Sequence, residues 1–240
     1  MERSEILFAL KEKPDLDVLI VGAGVNGIAT FRDLALNSVN VLLIDRADFA
    51  SGATAASSHM AHGGIRYLEN GEFRLVREAV QERNRMIENA PHIVRPLPTT
   101  IPIFKIFSGL LNAPLKFFNL LNRPSERGAF VIKIGLIFYD AFTRRQKTVQ
   151  PHQFISRNKA LHRWKRLSPS IRYAATYFDG AITEPERLAV EMLLDAEAVH
   201  PNAHALNYIS LVGGKSNIAT LRDELTGESF DLRPRLLINA

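Results

Sequence analysis

The stretch from Asp17 to Asp45 restricts the possible folds more than any other part of the chain. It opens with DVLIV, Asp17 to Val21, a β-branched run suited to a buried parallel strand. Gly22, Gly24 and Gly27 follow at once in a G-x-G-x-x-G spacing. Val25, Ile28, Ala29, Phe31, Leu34 and Ala35 then recur at helical intervals, and NVLLID, Asn40 to Asp45, reads as a second strand ending on a carboxylate. This order predicts a βαβ unit that takes a dinucleotide. Gly22 permits the tight turn, Gly24 lets backbone approach a pyrophosphate, and Gly27 lets helix and strand pack closely. The helix N-terminus offers unpaired N–H groups and a positive dipole end to the phosphates. Asp45 can accept hydrogen bonds from ribose hydroxyls and disfavours a 2′-phosphate. The same glycines would also serve a βαβ unit that needs them for packing alone, and the motif does not separate FAD from NAD.

With 240 residues the chain forms one large domain or two small ones, with ample core. It has no cysteine, which excludes disulfides, thiolate metal ligands and cysteine nucleophiles. The formal net charge of +5 is compatible with an anionic substrate, an anionic membrane surface or nucleic acid, although an uneven solvated surface is its commonest cause. The opening MERSEILFALKEKPDLD is too acidic for a transit peptide and lacks the apolar run of a signal peptide, so a cytoplasmic chain is expected. No run is long and clean enough to span a bilayer; the nearest, Ile101 to Leu121, is interrupted by Pro102, Lys105, Pro114 and Lys116.

After Asp45 a plain NAD-binding unit would soon start another helix. Here Ala50 to Ser58 is a run of small residues, which lets backbone lie flat against a bulky ligand. SSHMAHGGIRYLENG, Ser57 to Gly71, then crowds two histidines, a Gly-Gly pair and an Arg-Tyr pair together. Serine hydroxyls and the N–H groups of Gly63 and Gly64 suit phosphate or ring-edge acceptors. Taken singly, His62 reads as a buried histidine satisfied by a carbonyl, Arg66 as a surface partner of Glu69, and Tyr67 as core.

The joint order of G-A-G-x-x-G, S-S-x-x-x-H-G-G-x-R-Y-L and E-F-x-L-V-x-E-A closely resembles the FAD-dependent glycerol-3-phosphate dehydrogenases, membrane-associated, quinone-reducing flavoenzymes of the D-amino-acid-oxidase-like group. The resemblance is dense from Asp17 to about Pro98 and resumes at VIKIGLIFYDAF, Val131 to Phe142, and at YFDGAITEPERLAVEMLLDA, Tyr177 to Ala196. It implies an α/β fold: a Rossmann-like, glutathione-reductase-type FAD-binding domain with a partial substrate or cap region and a β-meander. The implied parts are residues 1–98 as the first part of the FAD domain, 99–180 as a cap-side insertion, and 181–240 as a return to the FAD domain.

By the same resemblance, Gly22, Ala23, Gly24, Val25, Asn26 and Gly27, with Asp45 and Arg46, hold the cofactor. Ser57, Ser58, His59, Gly63 and Gly64 lie along the flavin. His62 sits near its reactive face as the candidate acid–base or hydroxyl-orienting group, since imidazole exchanges a proton near neutral pH. Arg66 and Tyr67 reach toward the substrate phosphate, for which a planar guanidinium is well shaped. The family usually has lysine where this chain has His59, and more hydroxyls at Ala55 and Ala56, which bears on flavin affinity and potential.

Further along, Gly71 to Ala90 predicts an amphipathic helix with a Phe73, Val76, Val80 and Ile87 seam, an Arg74–Glu78 pair on its solvated face and Pro91 as its stop. Pro96 to Pro102 reads as an extended edge segment. Ile103 to Phe130 is basic and rich in Phe and Leu, predicting two short amphipathic helices that either touch a membrane interface or pack on the protein; the resemblance implies an insertion here. Val131 to Arg145 predicts another helix, and Gln150 to Pro169 a basic, solvated loop. The YFDGAI region predicts a strand with a turn at Asp179-Gly180, then a helix with Pro185 in its first turn. Beyond Ala205 strands are expected, with a turn around Thr226-Gly227.

The implied activity is oxidation of sn-glycerol 3-phosphate to dihydroxyacetone phosphate, with FAD as cofactor and membrane quinone as acceptor. The implied location is peripheral, on the inner face of the cytoplasmic membrane, and a homodimer is compatible with it. Because the family's matching strand leads on into a Gly-containing motif, the resemblance implies an N-terminal part of a longer protein, inactive alone. Two other readings stay open: a related FAD oxidase of an amino or hydroxy acid, and a degenerate, non-enzymatic chain. Neither a metal site nor a nucleic-acid signature is visible.

Overall fold

A computed structural model describes residues 1–65, 67, 72–106, 129–143 and 148–240. The chain divides into two compact units. One comprises Met1–Ser58 and Glu184–Ala240, the other His59–Thr183.

The first unit is built on a six-stranded sheet. Its strands are β1 (Asp15–Val21), β2 (Val41–Ile44), β7 (Ala203–Leu206), β8 (Ile209–Lys215), β9 (Ile218–Asp223) and β10 (Ser229–Asn239), in the order β7-β2-β1-β10-β9-β8. β7, β2, β1 and the second half of β10 run parallel, while β8, β9 and the first half of β10 form an antiparallel meander. β2 and the second half of β1 are covered on both faces, which explains why residues 18–21 and 41–44 are wholly apolar. Val18, Ile20, Val41 and Leu43 face α2 (Val25–Leu36) and α6 (Pro185–Val199) through Ile28, Phe31, Ala189 and Leu193. Leu19, Leu42 and Ile44 point the other way, into a core shared with Ile6 of α1 (Arg3–Glu12) and with the meander. The alternation along β2 follows from the two-residue period of a strand. Pro185 occupies the first turn of α6, and Gly227 takes φ +78° at the predicted turn.

The second unit is a smaller antiparallel sheet with helices. Here β6 (Tyr173–Ile182) is central, paired along its whole length with β4 (Val94–Ile103) and, on its other edge, with β3 (Met60–Ala61) and β5 (Gln153–Ser156). Pro96, Pro98 and Pro102 fit the edge position of β4. α3 (Phe73–Asn89) and α4 (Ala129–Thr143) pack on this sheet through Val76, Val80, Leu136, Tyr139, Ala175 and Tyr177.

Three expectations need correction. Asp179-Gly180 is not a turn: the strand runs straight through, with Asp179 opposite Leu97 and Gly180 between Pro96 and Ala61. Ladder pairing on both edges overrides the local turn preference of Asp-Gly. The basic segment after Gln150 is not a loop, since it forms β5 and α5 (Arg157–Arg163). Its Ile155, Leu161 and Trp164 pack on buried Ala160, Ile171 and Ala174. Finally, the buried face of α3 includes Arg83 and Asn84 as well as the apolar seam. Arg74 and Glu78 do form their i,i+4 pair at 2.8 Å. Most of the expected amphipathic pair at 103–130 lies outside the described residues. No described helix is long and apolar enough to cross a membrane.

Candidate active site

In the first unit the chain leaves β1 at Gly22, whose φ of +109° favours glycine. A Cβ at Gly27 would lie 1.9 Å from the Gly22 carbonyl oxygen, so the α2 backbone approaches the turn more closely than any side chain permits. Gly24 is different. A Cβ there would meet only Thr54 Oγ1, at 3.5 Å, so the surface above Gly24 is open. Val25 and Asn26 are exposed beside it. The first-turn N–H groups of α2 have no carbonyl of their own helix to bond. One of them, on Val25, donates to Thr54 Oγ1 at 3.0 Å. The turn thus offers an open backbone face at Gly24 and the positive end of the α2 dipole, which fits a dinucleotide pyrophosphate.

Asp45, at the end of β2, holds this turn in place. Its Oδ2 accepts the Ala23 N–H at 2.7 Å and its Oδ1 the Ala47 N–H at 2.9 Å. Each oxygen retains a second lone pair, so the carboxylate can brace the loop and still accept from a ribose hydroxyl. Arg46 beside it is exposed. The small-residue stretch folds into turns and reaches back to the glycine loop, with the Ala50 N–H donating to the Ala23 carbonyl at 2.9 Å. Ser57 and Ser58 are exposed at the end of these turns. Thr54 was not singled out from the sequence; its signal was a hydroxyl within a run of alanines and glycines.

In the second unit His59 adopts φ +54° and its carbonyl accepts the Ile182 N–H at 2.8 Å, which anchors the start of the strap on β6. His62 and Gly63 follow. The His62 side chain is 58% exposed, yet its Nδ1 stands 3.4 Å from Asp179 Oδ2, and the Asp179 side chain is only 3% exposed. Asp179 Oδ1 accepts the Gly63 N–H at 2.9 Å. A Cβ on Gly63 would fall 1.9 Å from Tyr139 Oη, so only glycine lets the strap sit this close to α4. Gly64 takes φ +69°, and the Tyr67 N–H returns to its carbonyl at 2.9 Å. The Tyr67 side chain is exposed rather than in the core. Arg66 lies outside the described residues.

Beneath the strap is a buried polar group that sequence reasoning missed. Arg83 donates through Nε and Nη2 to Asn84 Oδ1, at 3.0 and 2.6 Å, and through Nη1 to Tyr139 Oη and the Phe178 carbonyl. The Tyr139 hydroxyl oxygen stands 3.0 Å from the Phe178 carbonyl oxygen and 3.4 Å from Asp179 Oδ1, either of which can accept its proton. Burial holds the Arg83 guanidinium below its ordinary pKa, opposed by Tyr139 and Asp179. Burial also pushes the Tyr139 phenol well above its usual value, so it remains a donor. The available signal was spacing: Val76, Val80, Arg83 and Ile87 fall at four-, three- and four-residue steps on one helical stripe. Among the described residues no cluster of His, Asp and Glu is arranged to hold a metal ion.

The first unit is therefore a dinucleotide-binding α/β domain with a meander, and the second an antiparallel unit presenting an imidazole backed by a carboxylate. The profile of the FAD dependent oxidoreductase family matches residues 17–221, and the chain belongs to that family. It is 35% identical over 221 residues to a glycerol-3-phosphate dehydrogenase of Synechocystis, covering 89% of this chain and 36% of that protein. It is 32% identical over 225 residues to one of Pseudomonas aeruginosa, covering 93% of this chain and 39% of that protein. The chain thus spans little more than a third of the length of these relatives. The fold is similar to that of the glycerol-3-phosphate dehydrogenase from Bacillus halodurans complexed with FAD, with a TM-score of 0.66 at 20% identity over 99% of this chain and 36% of that one. It is also similar to L-proline dehydrogenase from P. horikoshii, with a TM-score of 0.61 at 13% identity over 94% of this chain and 52% of that one.

Proposed function

We propose that the protein carrying this chain oxidises sn-glycerol 3-phosphate to dihydroxyacetone phosphate. The observation that carries the proposal is the glycine strap, which sets the exposed His62 imidazole against the buried Asp179 carboxylate in a chain of an FAD-dependent family. The similarity to two bacterial glycerol-3-phosphate dehydrogenases supports the choice of substrate.

The backbone of Gly22, Ala23, Gly24, Val25, Asn26 and Gly27 would hold the FAD pyrophosphate, with Asp45 and Arg46 toward the adenosine. Ser57, Ser58, His59 and the Gly63-Gly64 backbone would lie along the ring. Bound FAD supplies a two-electron acceptor for the hydride from substrate C2. His62 takes the proton of the C2 hydroxyl through Nε2, the ring nitrogen away from Asp179. Arg66 and Tyr67 bind the phosphate end, Arg66 by paired N–H donors. The resemblance to quinone-reducing flavoenzymes supports a membrane quinone as the electron acceptor, with the protein peripheral on the inner face of the cytoplasmic membrane. The 240 residues alone, little more than a third of the relatives' length, are expected not to turn over.

Dihydroxyacetone phosphate formation tests the proposal, measured with a soluble quinone analogue and glycerol 3-phosphate, and in parallel with glycine and L-proline. Product from glycerol 3-phosphate alone is expected. Turnover of an amino acid instead would assign the protein to another branch of the family. His62→Ala is expected to lower kcat by about 10²–10⁴-fold while leaving flavin content unchanged.

A further inference from the structure

The proton-carrying role of His62 rests on the function proposed above, but that role alone does not say which ring nitrogen is basic. We propose that Asp179 is a positioning residue that fixes the His62 tautomer, keeping the proton on Nδ1 and leaving Nε2 as the acceptor presented to substrate.

The geometry permits one arrangement. Asp179 is buried, and its Oδ1 is oriented by the Gly63 N–H at 2.9 Å and by the Tyr139 hydroxyl. That leaves Oδ2 facing His62 Nδ1 at 3.4 Å. A carboxylate oxygen only accepts, so the facing nitrogen must be the donor. The contact is longer than an ideal hydrogen bond, as catalytic contacts often are before substrate tightens them. The buried cation of Arg83, relayed through the Tyr139 hydroxyl, offsets the charge of Asp179. Three of the five buried polar or charged residues among the described ones, Arg83, Asn84 and Asp179, belong to this cluster. Burying a carboxylate carries a large desolvation cost, which makes this a poor way merely to pin a strap that apolar packing could hold.

Asp179→Asn separates the two roles. Its carbonyl oxygen keeps the Gly63 N–H, so the strap stays anchored. Its amide nitrogen then faces His62 Nδ1 as a donor and forces that nitrogen to accept, moving the ring proton to Nε2. The same exchange in a serine protease triad leaves geometry intact but sets the wrong tautomer.

The test is ¹⁵N NMR of histidine-labelled, flavin-loaded protein carrying this chain, with the His62 signals identified by their loss in His62→Gln. With the His62 imidazole neutral, the wild type is expected to carry its proton on Nδ1. Asp179→Asn is expected to carry it on Nε2, with kcat falling about 10²–10⁴-fold and KM little changed. A wild-type His62 protonated on Nε2 overturns the inference, and that result needs no folded variant. So does an Asp179→Asn protein whose tautomer is unchanged. A His62→Ala enzyme that turns over at the wild-type rate refutes the acid–base reading of His62 instead, and the tautomer result still decides the role of Asp179.

Discussion

Gly27→Val is expected to yield a protein without flavin and destabilised by about 3 kcal/mol or more. The first new side-chain atom would sit 1.9 Å from the Gly22 carbonyl oxygen and 3.3 Å from the Ala240 Cβ. Neither neighbour is the free end of a flexible side chain. Relief requires α2 to move away from β1, which opens the core between Ile28, Phe31 and the sheet and displaces the N–H groups proposed to face phosphate. Gly24→Ala is the contrast. Its Cβ makes only an ordinary contact with Thr54 Oγ1, so the melting temperature of the flavin-free protein should be unchanged. The added methyl occupies the bare face proposed for pyrophosphate, so FAD affinity should fall. Visible flavin absorbance and denaturant midpoints of the two variants separate packing from ligand contact. Normal flavin content in Gly27→Val would contradict the role given to this turn.

Arg83→Met is expected to cost the second unit about 3–5 kcal/mol. Methionine nearly matches the length of the side chain but returns none of its hydrogen bonds. Asn84 Oδ1 loses both of its Arg83 donors, and the Tyr139–Asp179 contact loses its cation. Arg83→Lys should rescue little, since a point charge cannot reproduce a planar fork that also lies 5.3 Å from the Tyr139 ring centroid. Combining Arg83→Met with Asp179→Asn should cost less than the sum of the single changes, because the second removes the charge that the first leaves uncompensated. Strict additivity in urea denaturation would show that the two residues do not share a network.

The first unit was legible because each of its signals is local. Two apolar strands, a glycine turn and a 3.6-residue period specify β1, α2 and β2 whatever surrounds them, and Gly227 announces the meander turn. The second unit was less legible because its decisive features are decided by partners distant in sequence. Asp-Gly is a turn dipeptide until Pro96 and Ala61 pair on either side of Gly180. Arg83 reads as a solvated charge until Tyr139, 56 residues later, and the Phe178 carbonyl, 95 residues later, accept its protons. His62 and Gly63 were visible as a motif, but Asp179 beneath them was hidden by the turn reading. The basic residues of 157–166 obscured the apolar stripe of Ile155, Ala160, Leu161 and Trp164 that makes β5 and α5 part of a core.

The central claim is that the protein carrying this chain binds FAD and reduces it with glycerol 3-phosphate. The most direct measurement is an anaerobic titration of the purified protein with glycerol 3-phosphate, followed by its visible flavin spectrum. Stoichiometric bleaching of the flavin, with formation of dihydroxyacetone phosphate, is the predicted result. A protein that carries flavin but is not bleached by glycerol 3-phosphate, or one that carries no flavin, would contradict it.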